Sequence, residues 1–310
     1  MRETLEHRES TGRTMPRPAP SALAPTLALL AAAAIWASSF VVMKAALAAF
    51  DPIFILAVRM TVAALCLTPF LKLLKSVRYR PGDWRLLAFI VVCEPGLYFL
   101  FEANALRFTS ASQAGMVVAI LPLMVGAAAR LALKEPLSRT AAFGLALAVA
   151  GVVWLSAAGA ADEHAPNPAL GNFLEFLAMV CATGYMVAAR RLMQRYSPHF
   201  ITALQAVAGC AFYLPALALP AVPLPESLPL WPSLGVLYLG SAVTLLAYGC
   251  YNYGNSKLPA ARASAFTNLI PVFTLLMGVT LLGETLTPSQ MAAAALVIAG
   301  VFLPALKPSS

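Results

Sequence analysis

Ten long apolar runs, a mean hydropathy of +0.79 and a sequence that matches itself at a fixed offset predict an all-α polytopic membrane protein. The expected architecture is ten transmembrane helices arranged as two inverted five-helix repeats. Of the 310 residues, 60% are hydrophobic and only 11% charged, far outside the composition of a soluble domain. A helix needs roughly 20 mostly apolar residues to cross a bilayer, and these runs supply that length. They are continuous rather than alternating, which argues against a β-barrel.

Residues 1–25 mix Arg2, Arg8, Arg13 and Arg17 with Glu3, Glu6 and Glu9. They read as a short cytoplasmic tail rather than a cleaved leader, because the first apolar run is long and many others follow. The runs fall at 26–48, 52–74, 86–106, 109–133 and 137–158, then at 169–193, 198–218, 231–254, 259–282 and 288–306. Between them lie turn-like or charged separators such as "FDP", "KSVRYRPGDW", "KEP", "ADEHAPNP", "VPLPESLP" and "GET". The first repeat therefore covers 26–158 and the second 169–306. An external loop at 159–168 joins them, and a cytoplasmic tail at 307–310 ends the chain.

Cytoplasmic loops retain Lys and Arg. With the N-terminus inside, 18 of the 21 basic residues fall on the cytoplasmic side, leaving Lys44, Arg59 and Arg107 for the outer half. The acidic "ADEH" loop and Glu226 then lie outside. Both termini are expected in the cytoplasm of a cell whose inner (plasma) membrane the protein crosses many times. The net charge of +8 thus reads as topology, not as nucleic-acid binding. Five cysteines, all inside apolar runs and none in a C-x-x-C pair, read as small buried hydrophobes.

The halves match each other. Pro122 pairs with Pro271, Glu135 with Glu284 and Gly151 with Gly300, all 149 residues apart. Pro52 pairs with Pro198 and Pro69 with Pro215 at 146, and the slip of three falls in a loop, where insertions are tolerated. Five spans is an odd number, so the copies insert with opposite orientation, placing Glu135 inside and Glu284 outside. Two such halves can exchange conformations around a shared cavity, which is the architecture of a secondary transporter.

The run "AIWASSFVVMKAAL…DPIFILAVRMTVAALCL", together with the "P…KEPLS" and "P…GETLT" elements of the two halves, resembles the EamA family of the drug/metabolite transporter superfamily. The likeness extends over 25–306. It implies a bacterial inner-membrane transporter that exports an amino acid or another small metabolite, with proton coupling as in many members. A facilitative or drug-type exporter without proton coupling is the alternative. The expected partners are a small-molecule substrate, protons and the lipid bilayer, with the chain a monomer or homodimer.

Ionisable residues inside the bilayer cost about 2.5–3.5 kcal/mol each on insertion scales, so each needs a partner or a task. Lys44 lies near the outer end of the first run and Arg59 about 10 Å into the second, at ~1.5 Å per residue. Both stand where the resemblance puts a base, and both read as structural charges. Glu102, at a depth similar to Arg59, is either its partner or a cavity acid. Glu94 lies about 18 Å from the outer end of its run, near the midplane, where its short side chain cannot reach the surface. That depth makes it the proton-coupling candidate; the plainer alternative is a packing glutamate hydrogen-bonded to a neighbouring helix. Pro95-Gly96 beside it should weaken the helix and free backbone groups to line a cavity.

Substrate contacts are expected from polar faces turned to that cavity. Glu94, Tyr98 and Glu102 share one broad face at i, i+4 and i+8. On the repeat-related eighth run, Tyr248, Asn252 and Asn255 share another, and Tyr251 corresponds to Glu102. Gln113 and Asn268 add amides from the fourth and ninth runs, where Pro122 and Pro271 should bend the chain. Trp36 is a candidate cap of the cavity. Glu135 and Glu284, each just before the next helix, read as structural charges that complement a helix dipole.

An intramembrane enzyme is the competing class. The sequence has no H-E-x-x-H and no G-x-S-x-G, and His7, His164 and His199 all lie outside the runs. No catalytic residue, metal site or cofactor is therefore expected.

Overall fold

The computed structural model describes residues 23–68, 79–134, 138–258 and 266–306. All regular structure among the described residues is helical. Seven helical segments are long and apolar enough to cross a membrane: Leu23–Leu47, Trp84–Phe108, Ala111–Ala132, Arg139–Ala157, Pro168–Leu192, His199–Ala218 and Leu230–Tyr251. Three shorter apolar helical segments accompany them, at Pro52–Leu67, Phe266–Leu282 and Pro288–Leu303. The second and ninth expected runs extend into 69–78 and 259–265, which lie outside the described residues. Leu65, Phe143, Phe173, Phe212 and Leu276 are exposed around the periphery, as lipid-facing positions should be.

Helix starts follow the local sequence. α1 (Leu23–Leu47) is rich in alanine; α2 (Pro52–Leu67) begins at a proline after Asp51, whose carboxylate accepts from Ile53 N at 2.8 Å. α3 (Trp84–Val91) leads into a π-helical turn at Val92–Leu97, and α4 (Tyr98–Phe108) continues beyond it. The fourth run is two helices, α5 (Ala111–Val118) and α6 (Leu121–Leu133), where one bent helix was expected. Proline cannot donate to the preceding turn, so Pro122 sits at the start of α6, where a missing N–H is tolerated.

α7 (Arg139–Ala157) and α8 (Pro168–Leu192) are capped by Ser138 and Asn167, which accept from Ala141 N and Leu170 N. α9 (Pro198–Tyr213) starts behind Ser197 and ends in a 3₁₀ turn at Pro215–Ala218. α10 (Leu230–Tyr238) and α11 (Ala247–Lys257) flank a second π-helical stretch, Leu239–Leu246. A 3₁₀ turn at Phe266–Leu269 precedes α12 (Ile270–Leu282), with Pro271 again at its start, and α13 (Pro288–Leu306) follows.

Lipid offers no hydrophobic drive to join helices, so close contact depends on small side chains. α1 buries Ala32, Ala33 and Ala37 and packs against α10, α11 and α12. α2 packs on α9, α4 on α8, α5 on α12 and α7 on α13. Gly151 and Gly300 face the α7–α13 contact. A Cβ on Gly151 would stand 2.7 Å from Val297 Cγ2, and one on Gly300 2.6 Å from the Gly144 carbonyl oxygen, so neither position has room for one. Where α3 starts, Asp83 accepts from Arg195 Nη1 at 2.6 Å and Tyr196 Oη at 3.0 Å, tying this end of the helix to the end of α8.

Candidate functional site

The π-helical turn at Val92–Leu97 opens the helix at its acid. Glu94 has φ −148° and ψ 120°, far from helical values, and its bond to Pro95 is cis. The even face expected for Glu94, Tyr98 and Glu102 therefore fails at Glu94, because the chain is extended there and helical only from Tyr98 on. Backbone groups freed in hydrocarbon need partners, and α9 supplies them. Gln205 Nε2 donates to the Glu94 carbonyl at 3.3 Å, and Tyr213 Oη donates to the Pro95 carbonyl at 3.0 Å while lying against the Gly96 carbonyl. The Glu94 side chain, 7% exposed, accepts from Tyr248 Oη at 3.1 Å.

Arg59 and Glu102 come together from α2 and α4. Arg59 Nη1 lies 3.9 Å from Glu102 Oε2, and both residues are buried. Arg59 Cζ also stands 4.0 Å from the centre of the Phe99 ring, a cation–π contact. Its Nε donates to Thr244 Oγ1 at 3.5 Å, and Nη1 has no hydrogen-bond partner. Glu102 Oε1 accepts from Tyr98 Oη at 2.6 Å. The pair is loose, well beyond the roughly 2.7–2.9 Å of a direct charge-assisted bond.

A third buried carboxyl lies on α8, which packs on α4. Glu175 on α8 is fully buried, and neither of its oxygens has a hydrogen-bond partner. On the far side of Tyr248, Trp36 packs edge-on at 5.2 Å, and Tyr251 lies 5.3 Å from the same indole. Glu94, Phe99, Gln205, Thr244 and Tyr248 surround a cavity of about 20 Å³. That is room for one water molecule and not for a metabolite.

A broken helix with a buried acid, a buried Arg59–Glu102 pair and an aromatic cluster thus lie inside an apolar helical protein. The EamA-like transporter family matches residues 24–157 and again 169–305. The chain belongs to that family. A relative described as "Uncharacterized transporter YcxC" from Bacillus subtilis is 29% identical over 85% of this chain and 86% of its own length. "Probable amino-acid metabolite efflux pump" from Salmonella typhimurium is 26% identical, covering 87% of this chain and 90% of its own. "Probable terminal-alkyne amino-acid exporter" from Streptantibioticus cattleyicolor is 25% identical over 89% and 91%. A solved crystal structure aligns with TM-score 0.63 and 22% identity over 91% of this chain and 98% of its own, a likeness of fold. The family is one of transporters in the drug/metabolite transporter superfamily, which sets the enzyme reading aside.

Other polar residues of this EamA protein gather elsewhere, at the junction of α4 and α5. Lys44 Nζ donates to the carbonyls of Leu106, Thr109 and His164 at 2.6, 2.8 and 2.7 Å. A cation at the C-terminus of α4 meets carbonyls that the helix leaves unpaired. Glu284, 2% exposed, accepts from Ala111 N at 2.7 Å and Ser112 N at 2.8 Å. An acid on the helix that follows it was expected. The structure gives it instead to the N-terminus of α5, in the other half of the chain, and α13 is capped by a reciprocal Thr287–Gln290 pair. Gln113, 3% exposed, accepts from Asn172 Nδ2 at 3.1 Å, and Asn172 accepts from Thr109 Oγ1. Gln113 therefore sits in an interhelical network, away from Glu94 and the cavity.

Asn268 lies in the 3₁₀ turn before α12, with a buried Oδ1 that has no partner. Glu135 and the side chains of Asn252 and Asn255 lie outside the described residues. Tyr98, Tyr251, Glu102 and Trp36 do not line the small cavity, whereas Glu94 and Tyr248 do. Sequence reasoning missed Glu175, Asn172 and the α9 brace, Gln205 and Tyr213. For Glu175 the signal was there: it is an acid in the apolar run "FLEFLAMV", open to the same argument that singled out Arg59 and Glu102.

Proposed function

We propose that the chain is a secondary transporter that exports a small polar metabolite, an amino acid or a related compound, across the inner membrane by alternating access, with Glu94 as its proton-coupling group. The observation that carries this reading is Glu94 itself, a buried acid at a broken helix beside a cavity inside a transporter fold. Exporter names among the relatives support the substrate class and the direction. The ten-helix inverted duplication is supported by the two family matches and by the packing of α2 on α9, α5 on α12 and α7 on α13, each pairing one half with the other. A cavity with room for a single water fits a closed conformation that must open to admit solute. Tyr248 holds Glu94 and packs against Trp36, which also meets Tyr251; these residues, with Tyr98 and Glu102, are the substrate-contact candidates. Gln113, Asn252, Asn255 and Asn268 remain candidates for the opened state.

Counterflow in proteoliposomes tests this. Preloaded unlabelled amino acid should drive transient uptake of the labelled form above its equilibrium level, and protein-free liposomes should not. Uptake that never exceeds equilibrium across a panel of amino acids and related metabolites would remove the substrate class.

Orientation is tested separately. In a background lacking the five native cysteines, Glu163→Cys should react with an impermeant maleimide added to intact cells, and Gln194→Cys should react only after lysis. Both positions are exposed in the structure. The reverse pattern would invert the proposed topology, in which both termini are cytoplasmic.

A further inference from the structure

Three helix ends meet on one face of the protein and carry a cluster of basic side chains. The apolar spans Trp84–Phe108, Ala111–Ala132 and Pro168–Leu192 start or stop there, at Trp84, Ala132 and Leu192. Direct contacts tie them together. Arg195 Nη1 donates to Asp83 Oδ1 at 2.6 Å, the Arg80 backbone N–H donates to Tyr196 Oη at 3.1 Å, and Arg191 donates to the Ala132 carbonyl. Among the described residues 79–85, 130–134 and 190–196, seven are basic and one, Asp83, is acidic. Asp83 is buried and already held by Arg195 and Tyr196, so it offsets one charge and leaves an excess.

Depth fixes the surroundings of that excess. These charges sit at or just past the ends of apolar spans, the level at which the head groups of a bilayer lie. Trp84 and Tyr79, 58% and 53% exposed, stand at the same end, and amphipathic aromatic rings belong at that level. Arg85, Arg130, Lys134, Arg191 and Arg195 are all exposed. Basic residues in the last turns of α6 and α8 also complement those helix dipoles, but Arg85 lies in the first turn of α3, where the dipole disfavours a cation. Its charge therefore calls for an anion from outside the fold. The opposite ends of the same spans are different: Arg107 is the one Lys or Arg in 105–115 and 159–171, and Asp162 and Glu163 add negative charge there.

We propose that the ends of α3, α6 and α8 form a seat for the head group of an anionic phospholipid, with Arg85, Lys134 and Arg191 as its phosphate-facing charges. A guanidinium presents a planar fork of N–H donors that matches phosphate oxygens. A zwitterionic head group with a choline cation brings like charge to the same place and no net attraction. The lipid bridges the two halves of the chain, since α3 and α6 belong to the first and α8 to the second. The seat is independent of which solute the protein carries.

Phosphatidylglycerol and phosphatidylcholine with the same acyl chains separate charge from chain. Each is titrated into the full-length protein purified in detergent, and the thermal unfolding midpoint is followed, since a ligand that binds the folded state raises it. Phosphatidylglycerol should raise the midpoint saturably and phosphatidylcholine should not, and added salt should weaken the effect. The double variant Arg85→Gln/Lys134→Gln should need roughly thirty times more phosphatidylglycerol, from the loss of two charges at an anionic head group. Arg107→Gln removes an exposed charge at the opposite end of the α3–α4 span and should leave the response unchanged. If the double variant does not accumulate, the wild-type protein still decides: a phosphatidylglycerol with a photoreactive head group should crosslink within 79–85, 130–134 or 190–196, as read by peptide mass, and not around Arg107. Equal midpoint shifts from the two lipids, an unchanged response in the double variant, an equal loss in Arg107→Gln, or crosslinks spread evenly over both ends would each overturn the seat.

Discussion

Arg59→Leu is expected to destabilise the folded protein by about 3 kcal/mol or more, because it strands Glu102 in a buried site. Breaking a buried ion pair from one side typically costs about 3–5 kcal/mol, most of it the penalty of leaving the other charge unpaired. The low end applies here for a geometric reason: the 3.9 Å separation is not a bidentate contact, so less is lost when the guanidinium goes. Leucine also removes the cation over the Phe99 ring. The measurement is the thermal midpoint of detergent-purified protein, with membrane yield as a second readout. Removing both charges in Arg59→Leu/Glu102→Gln should recover most of the loss, since no unpaired charge remains and the introduced amide oxygen can still accept from Tyr98. If Arg59→Leu alone is as stable as wild type, the guanidinium is not holding Glu102, and the pairing is a coincidence of position.

The membrane class and the helical nature of this chain were legible because apolar run length is a one-dimensional signal. The approach of Arg59 to Glu102 was one of the two readings that depth left for Glu102. Two opposite charges at equal depth in a medium without water have few alternatives, and depth can be counted along a helix. The opening at Glu94 was legible too, through Pro95-Gly96. Its consequence was not, since counting i, i+4 and i+8 assumes a continuous helix and the chain turns extended at the acid. Lys44 and Glu284 show a different limit. Each serves the end of a helix far away in sequence, 62 residues away at Leu106 for Lys44 and 173 at Ala111 for Glu284. A residue's distance from the next helix says nothing about such a partner. Gln113 was expected to offer an amide to the cavity, and in this conformation its mate is Asn172 on α8, a partner that its position in the run does not reveal. Glu175 is a case of another kind: the physical argument that found Arg59 and Glu102 applied to it equally, and it lies on α8, which packs directly on α4.

Replacing Glu94 by glutamine is expected to abolish accumulation driven by a pH gradient while leaving solute exchange intact. The prediction rests on what the substitution keeps and what it removes. Glutamine is nearly isosteric, and its carbonyl oxygen can still accept the 3.1 Å bond from Tyr248. The brace from Gln205 and Tyr213 goes to backbone carbonyls and does not depend on the side chain at 94. The turn at Val92–Leu97 should therefore persist, and so should the cavity beside it. Only the capacity to take up and release a proton is lost. Exchange of solute for solute needs the protein to change conformation but needs no net proton movement, so it should continue. Net uphill transport needs a proton to cross with or against the solute on every cycle, so it should stop. Two measurements on one proteoliposome preparation decide this: counterflow at equal pH on both sides, and accumulation with the interior one to two pH units away from the exterior. Loss of both would mean that Glu94 is needed for the fold or for substrate contact. Retention of both would leave a packing glutamate at a helix break and move the search for the coupling group to Glu175, the buried acid with no partner of its own.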